Sequence, residues 1–209
     1  MSTDAEKLAI RNVLRPIYNP VIVELGAHLG EDEIWLQSCC THAPLHIMVE
    51  PDIRNVQHII DHSISRRIII GAVAAHDGDV TFYGSTDGSV RGSGSIRKPT
   101  KHLELFPHIS FPDNLRTTVP AYTLDTIFKR ERLSKIDLLW VDIQGAERDM
   151  IEGGQYALSR TRYLFMETET TELYDGMALK EELLRMLPDW KLVAELDYNS
   201  LLRNEGFTE

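Results

Sequence analysis

Cysteine, positive charge and long hydrophobic runs are all scarce in this 209-residue sequence. The only two cysteines, Cys39 and Cys40, are adjacent. An ordinary structural disulfide between them is implausible, and reduced thiols in a cytoplasmic protein are the simplest interpretation. The most continuous apolar run, residues 68–75, is too short to span a bilayer, and residues 1–10 lack the pattern of a signal peptide.

Acidic residues outnumber basic ones, with 32 aspartates and glutamates against 22 lysines and arginines. The resulting net charge of −10 disfavours nucleic acid or an anionic membrane as the main partner, because both attract positive charge. The composition therefore favours a small-molecule ligand, and it leaves the oligomeric state open.

Short apolar segments alternate with segments of helical periodicity along the chain. Those with the composition of buried strands are residues 21–25, 46–49, 67–74, 136–143 and 163–167. This alternation predicts an α/β fold built around a mostly parallel sheet. Two further apolar segments, 190–196 and 200–203, predict a β-hairpin near the end of the sequence.

Residues 84–118 interrupt this alternation. The stretch starts with GSTDGSVRGSGSIRKPTKH, which is rich in glycine and serine, and Pro107 and Pro112 follow. A connection of this length within a compact domain is typically a functional lid or a disordered segment. We therefore predict a single domain over residues 1–209, with a lid or insertion at 84–118.

The first predicted strand, residues 21–25, runs into a turn with glycine at both ends. Gly26 allows a sharp turn and the close approach of a ligand, and Gly30 allows the following helix to pack on the strand. Ligands of open α/β sheets bind at the carboxyl ends of the strands. Gly26, Ala27, His28 and Gly30 are therefore candidate ligand-binding residues, although an ordinary turn that needs glycine only for its geometry is the alternative.

Two acidic residues stand near the ends of neighbouring predicted strands. Glu50, followed by Pro51, is placed to accept hydrogen bonds from ribose hydroxyls, but residues 50–52 could also simply start a helix that Asp52 caps. Glu24 is expected to be buried and to face an amine or backbone N–H groups, with a salt bridge to an arginine as the alternative. Ala74, after the third strand, is a candidate for an adenine pocket or for ordinary core packing.

The turn does not suit a dinucleotide. It has the pattern G-x-x-x-G rather than G-x-G-x-x-G, and the side chain of His28 would crowd a pyrophosphate. Glu24 would also repel phosphate. A phosphate-free adenosine ligand fits better, and S-adenosylmethionine (SAM), which carries cationic groups, is the obvious one.

A second strand-and-turn motif, IDLLWVDIQGAE, occupies residues 136–147. Asp142 is expected at the carboxyl end of a central strand, across the crevice from Gly26. Together with ELGAHLG at 24–30, VEPD at 49–52 and TLDTI at 123–127, this motif resembles the FkbM family of SAM-dependent methyltransferases. The family usually has lysine and glutamate where this chain has Trp140 and Gln144.

The resemblance implies a Rossmann-like class I methyltransferase fold. Its seven-stranded, mostly parallel sheet has an antiparallel last strand and helices on both faces. It also implies methyl transfer from SAM to a hydroxyl of a sugar or a small secondary metabolite. Asp142 is then the candidate nearest the transferred methyl group, as base or as orienter of the acceptor, and Glu147 and Glu167 are further catalytic candidates. For Asp142 and Glu147, a purely structural role at the start of the next helix is the alternative.

Three points stay open at this level. A divalent metal could polarise the acceptor if Asp142 and Glu167 converge, although no spacing diagnostic of a metal site is present. An NAD-dependent oxidoreductase on a related sheet and a SAM-binding protein without turnover are alternative functions. The basic side chains of the loop suggest an anionic acceptor, with a solvated loop as the alternative; they are Arg91, Arg97, Lys98, Lys101 and His102.

Overall fold

The computed structural model describes residues 3–65, 67–86 and 92–208. The strands are β1 Val21–Leu25, β2 Leu45–Glu50, β3 Ile68–Ile70, β4 Ala72–Val73, β5 Gly78–Tyr83, β6 Arg116–Tyr122, β7 Ile136–Val141, β8 Thr161–Glu167, β9 Trp190–Leu196 and β10 Asn199–Asn204. The helices are α1 Asp4–Leu14, α2 Glu33–Ser38, α3 Ile53–His62, α4 Lys101–Leu105, α5 Leu124–Arg130, α6 Glu147–Glu152, α7 Gln155–Ser159 and α8 Lys180–Met186, with a 3-10 turn at Asp113–Leu115. In the described part of the chain, no helix is long and apolar enough to cross a membrane.

Seven strands form the main sheet in the order β3-β2-β1-β7-β8-β10-β9. Strands β3, β2, β1, β7 and β8 pair in parallel, whereas β10 runs antiparallel to both of its neighbours. The expected sheet with an antiparallel last strand is thus confirmed, and so is the hairpin of β9 and β10. The strand order reverses between β1 and β7, so their carboxyl ends meet at the switch point where such sheets bind ligands.

Helices cover both faces of the main sheet, which is why β7 is buried along its whole length. Alternate residues of β7 point to opposite faces. Leu139 packs with residues of α5, α6, α7 and α8, while Leu138 packs with residues of α1 and α2. The two-sided packing fixes the sheet, and a ligand site is expected beyond the carboxyl ends of its strands.

The predicted third strand, residues 67–74, is wrong as a single element. The chain turns at Gly71, leaves the main sheet after β3 and enters a second sheet with the order β4-β6-β5. A Cβ at Gly71 would lie 2.8 Å from the carbonyl oxygen of Pro120 and 2.7 Å from the ring of Tyr122. Only glycine fits this crossing between the two sheets.

The predicted loop 84–118 is shorter in the structure, because its last three residues already belong to β6. Strand β6 pairs antiparallel with β5, so that Tyr83 lies opposite Arg116. The segment between them contains α4 and the 3-10 turn, and Ser95 forms an isolated bridge with Tyr83. Both ends of the segment are therefore tied to the small sheet.

Candidate active site

A cavity of about 400 Å³ opens at the carboxyl ends of β1, β2 and β7. Most of the residues predicted for a ligand site line it, namely Glu24, Gly26, Ala27, His28, Glu50, Pro51 and Asp142. Gly30, Ala74, Glu147 and Glu167 do not belong to its wall. The switch point of the sheet has thus gathered residues that are more than one hundred positions apart in the sequence.

The turn after β1 is locked to the neighbouring strands. Gly26 has a φ of +82°, and its N–H donates to the carbonyl oxygen of Val49 at 2.9 Å. A Cβ on Gly26 would lie 1.8 Å from the backbone oxygen of Asp142, which no adjustment of a side chain could relieve. Glycine is therefore required here by the contact with the turn after β7, and the same turn forms part of the cavity wall.

Gly30 and Ala74 contribute to packing and hydrogen bonding and do not line the cavity. Gly30 has a φ of +73° and lies against Ile59 of α3, whereas the following helix was the expected packing partner. Ala74 is buried, and its N–H donates to the carbonyl oxygen of Tyr122. The apolar wall that Ala74 was expected to supply is formed instead by Ala72 and Val73.

Glu24 is buried and paired with a histidine, not with an amine or an arginine. Its Oε2 lies 2.8 Å from Nε2 of His46, which is also buried. Desolvation by burial raises the pKa of Glu24, and the contact with His46 only partly opposes that effect. Sequence reasoning missed this partner. In the observed register His46 lies opposite Ile22, two residues before Glu24, so the side chains of Glu24 and His46 share a face of the sheet.

Glu50 holds the cavity wall together. Its Oε2 accepts from the N–H of His28 and its Oε1 from the N–H of Asp52, both at 2.8 Å. Burial raises the pKa of Glu50 to about 7. Asp52 caps α3 by accepting from the N–H of Arg54, so the capping alternative applies to Asp52 while Glu50 faces the cavity.

Asp142 and Glu167 converge through one amide group. Nε2 of Gln144 donates to Oδ1 of Asp142 at 2.7 Å and to Oε2 of Glu167 at 3.1 Å. Oε1 of the same amide lies 2.9 Å from the hydroxyl of Tyr174. Gln144 thus takes the place between the two carboxylates that a cation would need. Within residues 3–65, 67–86 and 92–208, no group of three potential ligands is arranged to hold a metal ion.

Three carboxylates near the end of β7 have a raised proton affinity, and the charge of Asp142 contributes to the shifts of the other two, Glu147 and Glu167. Asp142 faces the cavity, but the surrounding protein raises its pKa by desolvation. Desolvation also raises the pKa of Glu167, and the charges of Asp142 and Glu147 add to the shift. Burial raises the pKa of Glu147 to about 7. Glu147 is the first residue of α6 and lies behind the cavity wall, where its carboxylate accepts from the N–H of Gly145.

His28 is held in a defined orientation on the wall. Its Nδ1 lies 2.7 Å from Oε1 of Glu31, whose Oε2 accepts from the N–H of Leu29. Its Nε2 is buried and has no hydrogen-bond partner in the described structure. Burial lowers the pKa of His28, but Glu31, Glu50 and Asp142 together raise it above the usual value.

The other end of the cavity combines aromatic and acidic side chains. The rings of Trp140 and Phe165 stack with centroids 4.1 Å apart, and Trp35 meets Trp140 edge-on. The turn between β9 and β10 adds Asp197 and Tyr198. Seven carboxylates line the cavity, and no lysine or arginine of the described residues does; the seven are Glu6, Glu24, Glu31, Asp32, Glu50, Asp142 and Asp197.

The described basic residues of the 84–118 segment do not belong to this wall. Arg97 pairs with Asp149 at 2.7 Å, and His102 is buried against Phe106, Phe111 and Tyr174. Lys98 and Lys101 do not line the cavity either, and Arg91 falls outside the described residues. The described basic residues therefore supply no positive charge to the cavity wall.

Residues 24–200 match the methyltransferase FkbM domain. The chain belongs to the FkbM methyltransferase family. A curated relative of this FkbM methyltransferase is the 2-O-methyltransferase NoeI of Sinorhizobium fredii (strain NBRC 101917 / NGR234). The two are 32% identical over 197 residues, which cover 89% of this chain and 80% of NoeI. Membership of this family sets aside the NAD-dependent alternative.

A solved structure confirms the fold of this FkbM methyltransferase. The methyltransferase FkbM from Methylobacillus flagellatus KT aligns with 88% of the chain at a TM-score of 0.53 and 17% sequence identity. The chain spans 43% of the length of that protein. The shared part is the Rossmann-like α/β sheet with its helices.

Proposed function

We propose that this chain is a SAM-dependent O-methyltransferase that acts on a hydroxyl of a sugar or a similar small polyhydroxylated acceptor. The observation that carries the proposal is one continuous cavity that joins the Gly26 turn, Glu50 and Asp142. Family membership supports methyl transfer, and the name of NoeI supports oxygen as the atom that is methylated.

The residues of the cavity fit SAM, which supplies an electrophilic methyl group on a sulfonium. Glu50 accepts from His28, Asp52 and Asn55, which leaves one acceptor site, on Oε2, for a ribose hydroxyl. The walls at Ala72 and Val73 are apolar enough for an adenine ring. The missing Cβ of Gly26 lets the turn after β1 lie against the backbone of Asp142, so that both turns border the same cavity. The surrounding carboxylates favour a cationic ligand over a pyrophosphate.

Asp142 is proposed to orient the acceptor. Gln144 fixes one carboxylate oxygen of Asp142, Oδ1, and the side chain is exposed to the cavity. An alcohol attacks in line with the breaking bond, so alignment and exclusion of water supply much of the rate. The flat stack of Trp140 and Phe165 offers a surface for the apolar face of a sugar ring.

The lining charges favour a neutral acceptor. With seven carboxylates and no described lysine or arginine in the wall, an anionic acceptor would be repelled by those carboxylates that are ionised. We also propose that residues 84–118 act as a lid, since Gly94, Ser95 and Ile96 line the cavity and the hydroxyl of Ser95 donates to the backbone oxygen of Gln144.

The free thiols of Cys39 and Cys40 support a cytoplasmic location.

Calorimetry with S-adenosylhomocysteine and a methyl-transfer assay on neutral glycosides test this function. The wild type is expected to bind the product and to methylate at least one neutral acceptor. Gly26→Ala should abolish binding, whereas Gly30→Ala, at a similar φ but with 3.5 Å of space, should bind. Absence of binding at millimolar concentration would end the proposal, and binding without transfer would favour the alternative without turnover.

A further inference from the structure

We propose that His28, held by Glu31, takes the proton of the acceptor hydroxyl during methyl transfer. This inference rests on the proposed function and assigns its general base. Asp142 then orients the acceptor, and His28 receives the proton.

The ring of His28 is fixed by contacts on both sides. The backbone N–H of His28 donates to Glu50, and the ring Nδ1 meets the carboxylate of Glu31 at 2.7 Å. Glu31 is itself held by the N–H of Leu29 at 3.0 Å. A carboxylate beside Nδ1 keeps the hydrogen on that nitrogen, so the lone pair of the neutral imidazole lies on Nε2.

Nε2 of His28 is buried without a hydrogen-bond partner in the described structure. Its neighbourhood includes Gly92, where a Cβ would lie 3.7 Å from Nε2. A bare lone pair in such a place requires a donor, because another acceptor cannot satisfy it. The acceptor hydroxyl is such a donor, whereas a carboxylate or an ether oxygen is not.

Acidic groups from three elements act on the ring. Glu31 comes from the same loop, Glu50 from the end of β2 and Asp142 from the end of β7, and all three favour the imidazolium. A proton that moves to Nε2 therefore leaves a cation among carboxylates. These charges make His28 a stronger base than an isolated histidine, although burial opposes them.

The step balances in atoms and charge. The acceptor oxygen forms a bond to the methyl carbon while the carbon–sulfur bond breaks and leaves its electron pair on sulfur. The hydroxyl proton moves to Nε2 of His28 and gives an imidazolium paired with Glu31. Water takes that proton after the product leaves, and the neutral imidazole is restored.

The test compares His28→Gln with His76→Gln, an exposed histidine outside the cavity. His28→Gln should lower kcat on a neutral glycoside by about 100-fold or more, since glutamine can hydrogen-bond but cannot take the proton. Affinity for S-adenosylhomocysteine should change by less than about threefold, because the hydroxyl, not the cofactor, is the partner of Nε2. His76→Gln should keep the wild-type kcat.

Glu31→Gln provides the second readout. Glu31 raises the pKa of His28, and the base must be unprotonated to act. The acidic limb of the kcat profile should therefore move to lower pH in Glu31→Gln and disappear in His28→Gln. Nitrogen-15 spectra of the wild type should show the hydrogen on Nδ1 of His28.

Each contrary result has a separate meaning. An unchanged kcat and pH profile in His28→Gln, with weaker binding of S-adenosylhomocysteine, makes His28 a cofactor contact and overturns the inference alone. A hydrogen on Nε2 in the spectra also overturns it. A wild type that transfers no methyl group to any neutral hydroxyl removes the proposed function and this inference together.

Discussion

At the scale of single residues, Gln144 determines the charge balance of the site. Its one amide group donates to two carboxylates, and its oxygen faces the hydroxyl of Tyr174. Glutamate at this position, as the family resemblance implies for most members, would place a third negative charge between Asp142 and Glu167. The glutamine therefore places a hydrogen-bond donor between the two acids, where a glutamate would add a further charge.

Glu147 gives a prediction at the same scale. Burial raises its pKa from 4.5 to about 7, so the unfolded chain ionises first and stability is lost as the pH rises through that window. Glu147→Gln removes this loss. Its free energy of unfolding relative to the wild type should grow by up to about 3 kcal/mol between pH 4.5 and 7, measured by urea denaturation.

Glu152→Gln is the matched control, since Glu152 is exposed at the end of the same helix. Its difference from the wild type should stay constant over that pH range. A constant difference for Glu147→Gln as well would contradict the prediction.

At the scale of elements, the turn at Gly71 separates β3, which joins the main sheet, from β4, which joins the small sheet. Gly71→Ala would press a methyl group onto the backbone of Pro120, whereas Gly78→Ala, at a similar φ, meets nothing within 4 Å. We expect Gly71→Ala to cost about 1–3 kcal/mol more stability than Gly78→Ala in thermal or urea unfolding. Equal losses in the two variants would show that backbone strain, not crowding, is the main effect.

The sequence predicted the centre of the main sheet well because β1, β2 and β7 are short apolar runs with both faces buried. It missed β6, whose residues alternate between exposed and buried and include Pro120, and whose partner β5 is distant in sequence. Gly71 gave no local sign of a sheet change, because the apolar run continues on both sides of it.

The same contrast applies to the site. Gly26, Glu50 and Asp142 follow strands and turn motifs, so their meeting at one edge was predictable. His46 and Tyr174 carry no such local signal, since their roles depend on which distant residues the fold brings beside them.

At the scale of the whole molecule, the net charge of −10 and the acidic cavity both repel an anionic substrate. We compare a neutral glycoside with the uronic acid of the same sugar: kcat/KM should be lower for the acid at low ionic strength. The difference in kcat/KM between the two substrates should become smaller as salt screens the repulsion, because the Debye length falls to about 3 Å at 1 M. Assays over a salt series check this, and a gap independent of salt would point to shape rather than charge.

The position of β10 has a consequence for how the protein is made. This strand lies between β8 and β9, yet a ribosome synthesises it after both of them. Until β10 emerges, the nascent chain carries two unpaired strand edges that are prone to pair with other molecules. The main sheet therefore cannot be completed until residues 199–204 have been synthesised, whatever the order in which its other strands pair.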